Sequence, residues 1–71
     1  MPKPLAVVIL GAGPEGTKLL TTLLHVPGVE ILAIADRDPS SPGFEVAEAA
    51  GVRMTSGPVR LPVLRRADVI F

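Results

Sequence analysis

A glycine-rich hexapeptide between an apolar run and a leucine-rich segment constrains the fold more than any other feature of this chain. The run Leu5–Leu10 is continuously apolar, as expected for a parallel strand that is covered on both faces. The hexapeptide GAGPEG follows at positions 11–16, and its proline suits the first turn of a helix because proline has no N–H group to leave unsatisfied there. The sequence therefore predicts a strand, a tight turn and a helix in direct succession.

The rest of the chain continues this alternation. Pro27-Gly28 ends the first helix, turn-forming residues at positions 38–43 precede a second helix, and Gly51 ends that helix. The predicted strands are Leu5–Leu10, Val29–Asp36, Val52–Thr55 and Asp68–Phe71. The predicted helices begin at Pro14 and at Pro42, and the second one extends to Ala50.

Both predicted helices have an apolar face. On the first helix this face consists of Leu19, Leu20, Leu23 and Leu24. On the second it consists of Phe44, Ala47 and Ala50, and Ser41 stands where a side chain can cap the helix. The segment after Gly57 contains two prolines and is predicted to be a poor helix.

Strands that alternate with helices indicate a parallel α/β sheet, because parallel neighbours need a crossover connection of a dozen or more residues. Right-handed crossovers give the strand order 3-2-1-4, which is the first half of a doubly wound, three-layer α/β/α domain. The sequence ends within the fourth predicted strand. We therefore expect residues 1–71 to be the N-terminal part of a single dinucleotide-binding domain in a longer chain.

The pattern G-x-G-x-x-G is weak alone and gains weight from its context. It lies between a strand and a helix, and Asp36 ends the next strand twenty positions after Gly16, near the spacing of the dinucleotide-binding fingerprint. Gly11 permits the tight turn, Gly13 lets a pyrophosphate approach the backbone, and Gly16 allows the helix and the strand to pack closely. The N–H groups and the dipole of the helix N-terminus attract the phosphates.

The residues after the second strand bear on which dinucleotide is bound. Asp36 can accept hydrogen bonds from ribose hydroxyls and would repel a 2′-phosphate, which favours NAD over NADP. Arg37 can pair with a 2′-phosphate or lie against the adenine ring. Two simpler interpretations stay open, an ordinary tight turn for the glycines and a cap of the Asp38-Pro39 turn for Asp36. The predicted cofactor-binding residues are Gly11, Ala12, Gly13, Pro14, Glu15, Gly16, Asp36 and Arg37.

Composition argues against several classes of function. The chain has zero net charge and two phenylalanines as its only aromatic residues, so it lacks the basic face and stacking platforms of a nucleic-acid-binding protein. Its longest apolar run is too short to span a bilayer, and we expect a cytoplasmic protein with no membrane partner. His25, the single histidine, lies near the end of the first helix and away from the predicted site, so neither a catalytic residue nor a metal site is predicted. The exposed sheet edge beside the fourth strand is expected to favour self-association.

Three stretches resemble a known group of proteins. They are Val8–Gly16, Val29–Pro39 and Ala47–Val52, and the Ala-Asp-Arg-Asp-Pro sequence at positions 35–39 is the most specific part. They resemble the N-terminal Rossmann domain of the glucose-fructose oxidoreductase and inositol dehydrogenase family, and similar domains of amino-acid dehydrogenases. Two further features, the Pro42-Gly43 insertion and the Gly51-Val52 pair after the second helix, are similar to a dinucleotide-binding domain fused to bacterial sensor histidine kinases.

The resemblance implies a partial Rossmann fold in which the three glycines bind phosphate, Asp36 binds ribose and Arg37 flanks adenine. The catalytic lysine and histidine of the family lie in a second domain, outside this sequence. The function expected is therefore the cofactor half of an NAD-dependent oxidoreductase, inactive by itself. Two alternatives remain, a nucleotide-sensing module of a signalling protein and an S-adenosylmethionine-binding domain, which also uses a glycine loop and an acid after the second strand.

Overall fold

The four strands of the protein form one parallel sheet in a computed structural model that describes residues 3–71. The elements are β1 (Leu5–Leu10), α1 (Pro14–Leu23), β2 (Val29–Ala35), α2 (Pro42–Ala50), β3 (Met54–Thr55), α3 (Leu61–Arg66) and β4 (Val69–Ile70). The strand order is β3-β2-β1-β4 and each pair of neighbours is parallel, which confirms the predicted partial Rossmann fold.

β1 lies in the interior of the sheet because its side chains are apolar on both faces. Val7, Val8 and Ile9 are each at most 1% exposed. Val7 and Ile9 join Leu20 of α1, Ile34 of β2 and residues of α2 in the main apolar core. This core fixes the carboxyl end of β1, from which the glycine loop leaves.

The register between β1 and β2 shifts by one residue midway along the pair. Val7 is opposite Ile31, whereas Val8 is opposite Ala33. An extra residue in one strand changes which side chains share a face. As a result Ile31 and Ile34, three positions apart, both contact the core beneath α1 and α2. The sequence pattern does not reveal this shift.

The three helices lie on two faces of the sheet. Leu20 of α1 and Ala47 of α2 belong to the same core as Ile34, so α1 and α2 share one face. Val63 of α3 lines a small cleft together with Ala33. Because neighbouring strand residues point to opposite faces, α3 lies on the other face from Ile34 and completes the third layer.

Several predicted boundaries are wrong. The segment predicted as a poor helix contains α3, which accommodates Pro62 in its first turn, where a backbone N–H donates no intrahelical hydrogen bond and its absence costs none. Leu24 lies beyond the last residue of α1 and is 38% exposed, and Ala50 is exposed at the end of α2. In residues 3–71 none of the helices has the length and apolar character needed to cross a membrane.

The outer strands are shorter than predicted. β3 and β4 each comprise two residues, because each pairs with only one neighbour and over only two positions. Beside β4 the side chains of Ile70 and Phe71 are 48% and 52% exposed. Self-association through this edge stays a prediction.

Candidate functional site

The glycine loop turns sharply at the carboxyl end of β1. Gly11 has a φ of 111°, a conformation that side chains other than that of glycine rarely adopt. Its N–H donates to the carbonyl oxygen of Ala35 at 2.6 Å, which ties the start of the loop to the end of β2. The loop thus begins where the two central strands end side by side.

The other two glycines of the motif occupy opposite environments. A Cβ atom on Gly16 would lie 1.8 Å from the carbonyl oxygen of Gly11, so only glycine fits there. Apart from Gly13 itself and its two chain neighbours, a Cβ atom on Gly13 would meet no atom of residues 3–71 within 4 Å. Gly16 therefore serves the packing of α1 on β1, as predicted, while Gly13 borders open space that a ligand can fill.

The N-terminus of α1 faces this space. Gly13 is the N-cap residue and Pro14 the first residue of the helix, and the carbonyl oxygen of Gly13 accepts hydrogen bonds from the N–H (2.8 Å) and the hydroxyl (2.7 Å) of Thr17. The N–H groups of Glu15 and Gly16 belong to the first turn, where a helix offers no internal acceptor. With the helix dipole they can donate to an anion.

Asp36 connects the end of β2 to the glycine loop. One carboxylate oxygen, Oδ2, accepts the N–H of Ala12 at 2.7 Å, and the other, Oδ1, accepts the N–H of Asp38 at 2.9 Å. The contact with Asp38 is the cap of the Asp38-Pro39 turn, which the sequence analysis gave as the simpler interpretation of Asp36. Asp36 therefore stabilises its own turn and also holds the loop.

The environment of Asp36 favours its charged form. Hydrogen bonds from the N–H groups of Asp38 and then Ala12 lower the pKa of Asp36 below its ordinary value, and the hydroxyl of Ser41 contributes in the same direction. These effects outweigh partial burial, which raises the pKa. The carboxylate is thus negatively charged at neutral pH beside the loop.

Ala12 is fully buried and both of its backbone polar groups are engaged. Its N–H donates to Asp36, and its carbonyl oxygen accepts the N–H of Gly43 at 2.8 Å and the hydroxyl of Thr17 at 3.1 Å. Gly43 lies in the first turn of α2, so the glycine loop is held by α2 as well as by β2.

Two residues of this arrangement, Thr17 and Gly43, were not predicted from the sequence. Ser41 stands at the N-cap of α2 as predicted, but its side chain makes no capping hydrogen bond, so that part of the prediction is wrong. The carbonyl oxygen of Ala12 takes the N–H of Gly43 instead. A glycine in the first turn of a helix was the one available signal, since it permits close approach of another backbone.

Two clefts lie on either side of Leu10 and Gly11. The larger, of about 750 Å³, is lined by Asp36, Arg37 and the loop of residues 56–59. The smaller, of about 480 Å³, is lined by Phe71 and the N-terminal part of α1. Seven of the eight predicted cofactor-binding residues line these clefts, namely Gly11, Gly13, Pro14, Glu15, Gly16, Asp36 and Arg37. Ala12 lies buried beneath them.

His25 lies at the opposite end of α1 from the glycine loop. Its Nδ1 is 2.8 Å from the carbonyl oxygen of Thr21, one turn earlier. This contact satisfies a helix-terminal carbonyl group, as basic side chains near helix C-termini commonly do. His25 thus lies near the end of the first helix, as predicted from the sequence.

The strand order, the glycine loop at the end of β1 and the neighbouring carboxylate together define a partial Rossmann-like α/β fold. Among curated proteins, the chain is 36% identical over 76 aligned residues to acetaldehyde dehydrogenase 1 of Pseudomonas putida, and 37% identical over 76 to acetaldehyde dehydrogenase 3 of Dechloromonas aromatica. Each alignment covers 100% of this chain and 24% of the relative, so the chain spans about a quarter of the length of the relatives it matches. No protein-family model matches the chain.

These similarities support the predicted class, the cofactor-binding segment of an oxidoreductase. They do not confirm the narrower resemblance to the glucose-fructose oxidoreductase and inositol dehydrogenase family. They also lend no support to a sensor module or an S-adenosylmethionine-binding domain, because the relatives are dehydrogenases by name.

Proposed function

We propose that this chain is the NAD-binding segment of an NAD-dependent dehydrogenase related to the acetaldehyde dehydrogenases. Residues 1–71 then form part of a single dinucleotide-binding domain, and the longer protein oxidises an aldehyde. The observation that carries the proposal is the open space at Gly13, which borders the N-terminus of α1 and belongs to the cleft beside Phe71. NAD, when bound, supplies a nicotinamide ring that accepts a hydride.

The pyrophosphate is proposed to lie against Gly13. A side chain at this position would occupy the open space, and the first-turn N–H groups of Glu15 and Gly16 supply donors for the phosphate oxygens. Gly11 and Ala12 contribute the shape of the loop, and Pro14 fixes the first turn of α1 because its φ is already suited to a helix.

The adenosine half is proposed to occupy the cleft of about 750 Å³. Each carboxylate oxygen of Asp36 accepts one backbone N–H and retains a further lone pair for a ribose hydroxyl. The negative charge disfavours a 2′-phosphate, which makes NAD the preferred dinucleotide. Arg37, exposed on the same cleft, is proposed to lie against the adenine ring.

Titration calorimetry of the purified protein with NAD tests this proposal. We expect Gly13→Val to lose the binding signal, because the valine side chain fills the space assigned to the pyrophosphate, while the fold is retained. Ala49→Val is the matched control, since it adds the same side chain on the exposed surface of α2, away from both clefts. Equal binding by Gly13→Val and the unmodified protein would contradict the proposed pyrophosphate position.

A competition binding experiment distinguishes NAD from S-adenosylmethionine, the alternative ligand. ADP-ribose contains the adenosine, the pyrophosphate and a second ribose, so it is expected to displace NAD from the protein. S-adenosylmethionine has no pyrophosphate and is expected to compete poorly. Tighter binding of S-adenosylmethionine than of NAD would overturn the assignment.

A further inference from the structure

We propose that Asp36 and Gly43 are positioning residues that hold the Ala12 peptide from both sides and thereby set the shape of the glycine loop. Asp36 then acts on the pyrophosphate position as well as on the ribose. This inference rests on the proposed function, because it concerns the same dinucleotide site.

Asp36 holds the N–H side of Ala12. The distance from Oδ2 to the Ala12 nitrogen is 2.7 Å, and Ala12 is fully buried, so no water replaces the carboxylate as acceptor. The N–H of Asp38, 2.9 Å from Oδ1, fixes the carboxylate from its other side. Two backbone donors thus determine the orientation of the Asp36 side chain before any ribose is present.

Gly43 holds the carbonyl side of Ala12. Its N–H lies in the first turn of α2, where a serine at the N-cap commonly supplies the acceptor. Here the Ser41 side chain makes no such bond, and the acceptor is the carbonyl oxygen of Ala12 at 2.8 Å. The contact is close, because a Cβ on Gly43 would lie 3.0 Å from both the Cβ and the carbonyl oxygen of Ala12.

Ala12 lies between Gly11, which makes the turn, and Gly13, which borders the open space. Fixing the Ala12 peptide at both polar groups fixes the position of Gly13 and of the α1 N-terminus relative to β2. Removal of the Asp36 carboxylate leaves the buried N–H of Ala12 without its acceptor, and such a group forces the local backbone to rearrange. The effect reaches the pyrophosphate even where no ribose hydroxyl is involved.

A cycle between protein variants and ligand analogues separates the two roles of Asp36. The ligands are NAD and an NAD analogue whose adenosine ribose lacks the 2′- and 3′-hydroxyls, and the measured quantity is Kd by calorimetry. We expect Asp36→Ala to weaken NAD about 100-fold and the dideoxy analogue still about tenfold. If Asp36 acts through the ribose alone, the variant and the unmodified protein will bind the analogue equally, and the positioning role is overturned.

Gly43→Ala provides an independent variant that leaves the carboxylate intact. The added Cβ pushes on Ala12, so we expect both ligands to weaken by the same factor, about fivefold. Glu48→Ala is the matched control, because it removes a carboxylate that is exposed on α2, the helix that carries Gly43. We expect it to change neither Kd by more than about twofold, and unequal effects of Gly43→Ala on the two ligands would contradict the proposal.

Amide hydrogen exchange measured by NMR gives a readout that needs no ligand. The Ala12 N–H is expected to exchange at least tenfold faster in Asp36→Ala than in the unmodified protein, while it stays protected in Glu48→Ala. Unchanged protection would overturn the inference even if NAD binds as proposed. Conversely, faster exchange in a protein that binds no NAD would reject the proposed function and leave the loop contact established.

Discussion

A Cβ atom on Gly16 would lie 1.8 Å from the carbonyl oxygen of Gly11. The obstructing atom belongs to the backbone of the turn and not to a flexible side chain, so α1 would have to move away from β1. This relationship explains why the third glycine of the motif is a packing requirement, whereas Gly13 is not.

We therefore expect Gly16→Ala to lower the free energy of unfolding by about 3 kcal/mol, the upper part of the range for overpacking a well-packed contact. Gly13→Ala is the matched variant in the same loop, and it should cost less than about 1 kcal/mol because its Cβ enters open space at an N-cap position. Urea unfolding of both variants checks the difference. Equal losses of stability would show that the Gly11–Gly16 contact relaxes without cost.

The pKa of Asp36 predicts how stability depends on pH. Hydrogen bonds from Asp38 and Ala12 lower the folded-state pKa below the ordinary value of 3.8, so the stabilising contribution is fully present above 3.8. It is lost as the pH falls from 3.8 through the folded-state pKa. We expect the difference in unfolding free energy between the unmodified protein and Asp36→Asn to shrink over that interval and to stay constant between about pH 5 and 7. Urea unfolding in a series of buffers of different pH measures this difference.

Asp38 provides a comparison for the same titration. Its pKa is also lowered, first by the hydroxyl and then by the N–H of Ser40, so Asp38→Asn should show the same sign of pH dependence. Only Asp36→Asn should also alter the glycine loop, since only Asp36 contacts Ala12. A stability difference that grows on acidification would contradict the assigned direction of the Asp36 pKa.

The choice between NAD and NADP follows from the charges beside the larger cleft. We expect Asp36→Ala to reduce the preference for NAD by about tenfold or more, because it removes both a ribose acceptor and a negative charge that repels a 2′-phosphate. Arg37→Ala should change the NAD affinity by only a few-fold and should weaken NADP further. Calorimetric Kd values for both dinucleotides check this, and an opposite order would mean that Arg37 controls the selectivity.

The sequence predicted those parts of the fold that depend on local signals. The ends of β1 and α2 were predicted correctly, because an apolar run and clear turn residues bound them. The outer strands were predicted too long, since the length of an edge strand depends on how far its single neighbour pairs with it. α3 was not predicted because a proline breaks a helix when it lies in the interior. Pro62 lies in the first turn of α3, where proline is tolerated, and the sequence alone does not show where the helix begins.

The candidate site was predictable as a set of residues but not as a network. The glycine spacing and the following acid identified seven residues that line the two clefts. The hydrogen bond between Asp36 and Ala12 joins positions 24 apart, and it forms because the pairing of β1 with β2 brings the ends of the two strands together. No local pattern encodes such a contact, so it could not be predicted from the sequence.

The last prediction is that the purified 71-residue chain binds NAD without reducing it. Hydride transfer from an alcohol or a hydrated aldehyde needs a group that moves a proton within hydrogen-bond reach of the substrate. Among the described residues that line the cleft beside Phe71, Glu15 is the only one with a titratable side chain, and it is exposed at the start of α1. Incubation with NAD and acetaldehyde is therefore expected to give no NADH absorbance. If NADH forms and Glu15→Gln abolishes it, Glu15 is a catalytic acid–base and the chain is a complete enzyme, contrary to this prediction.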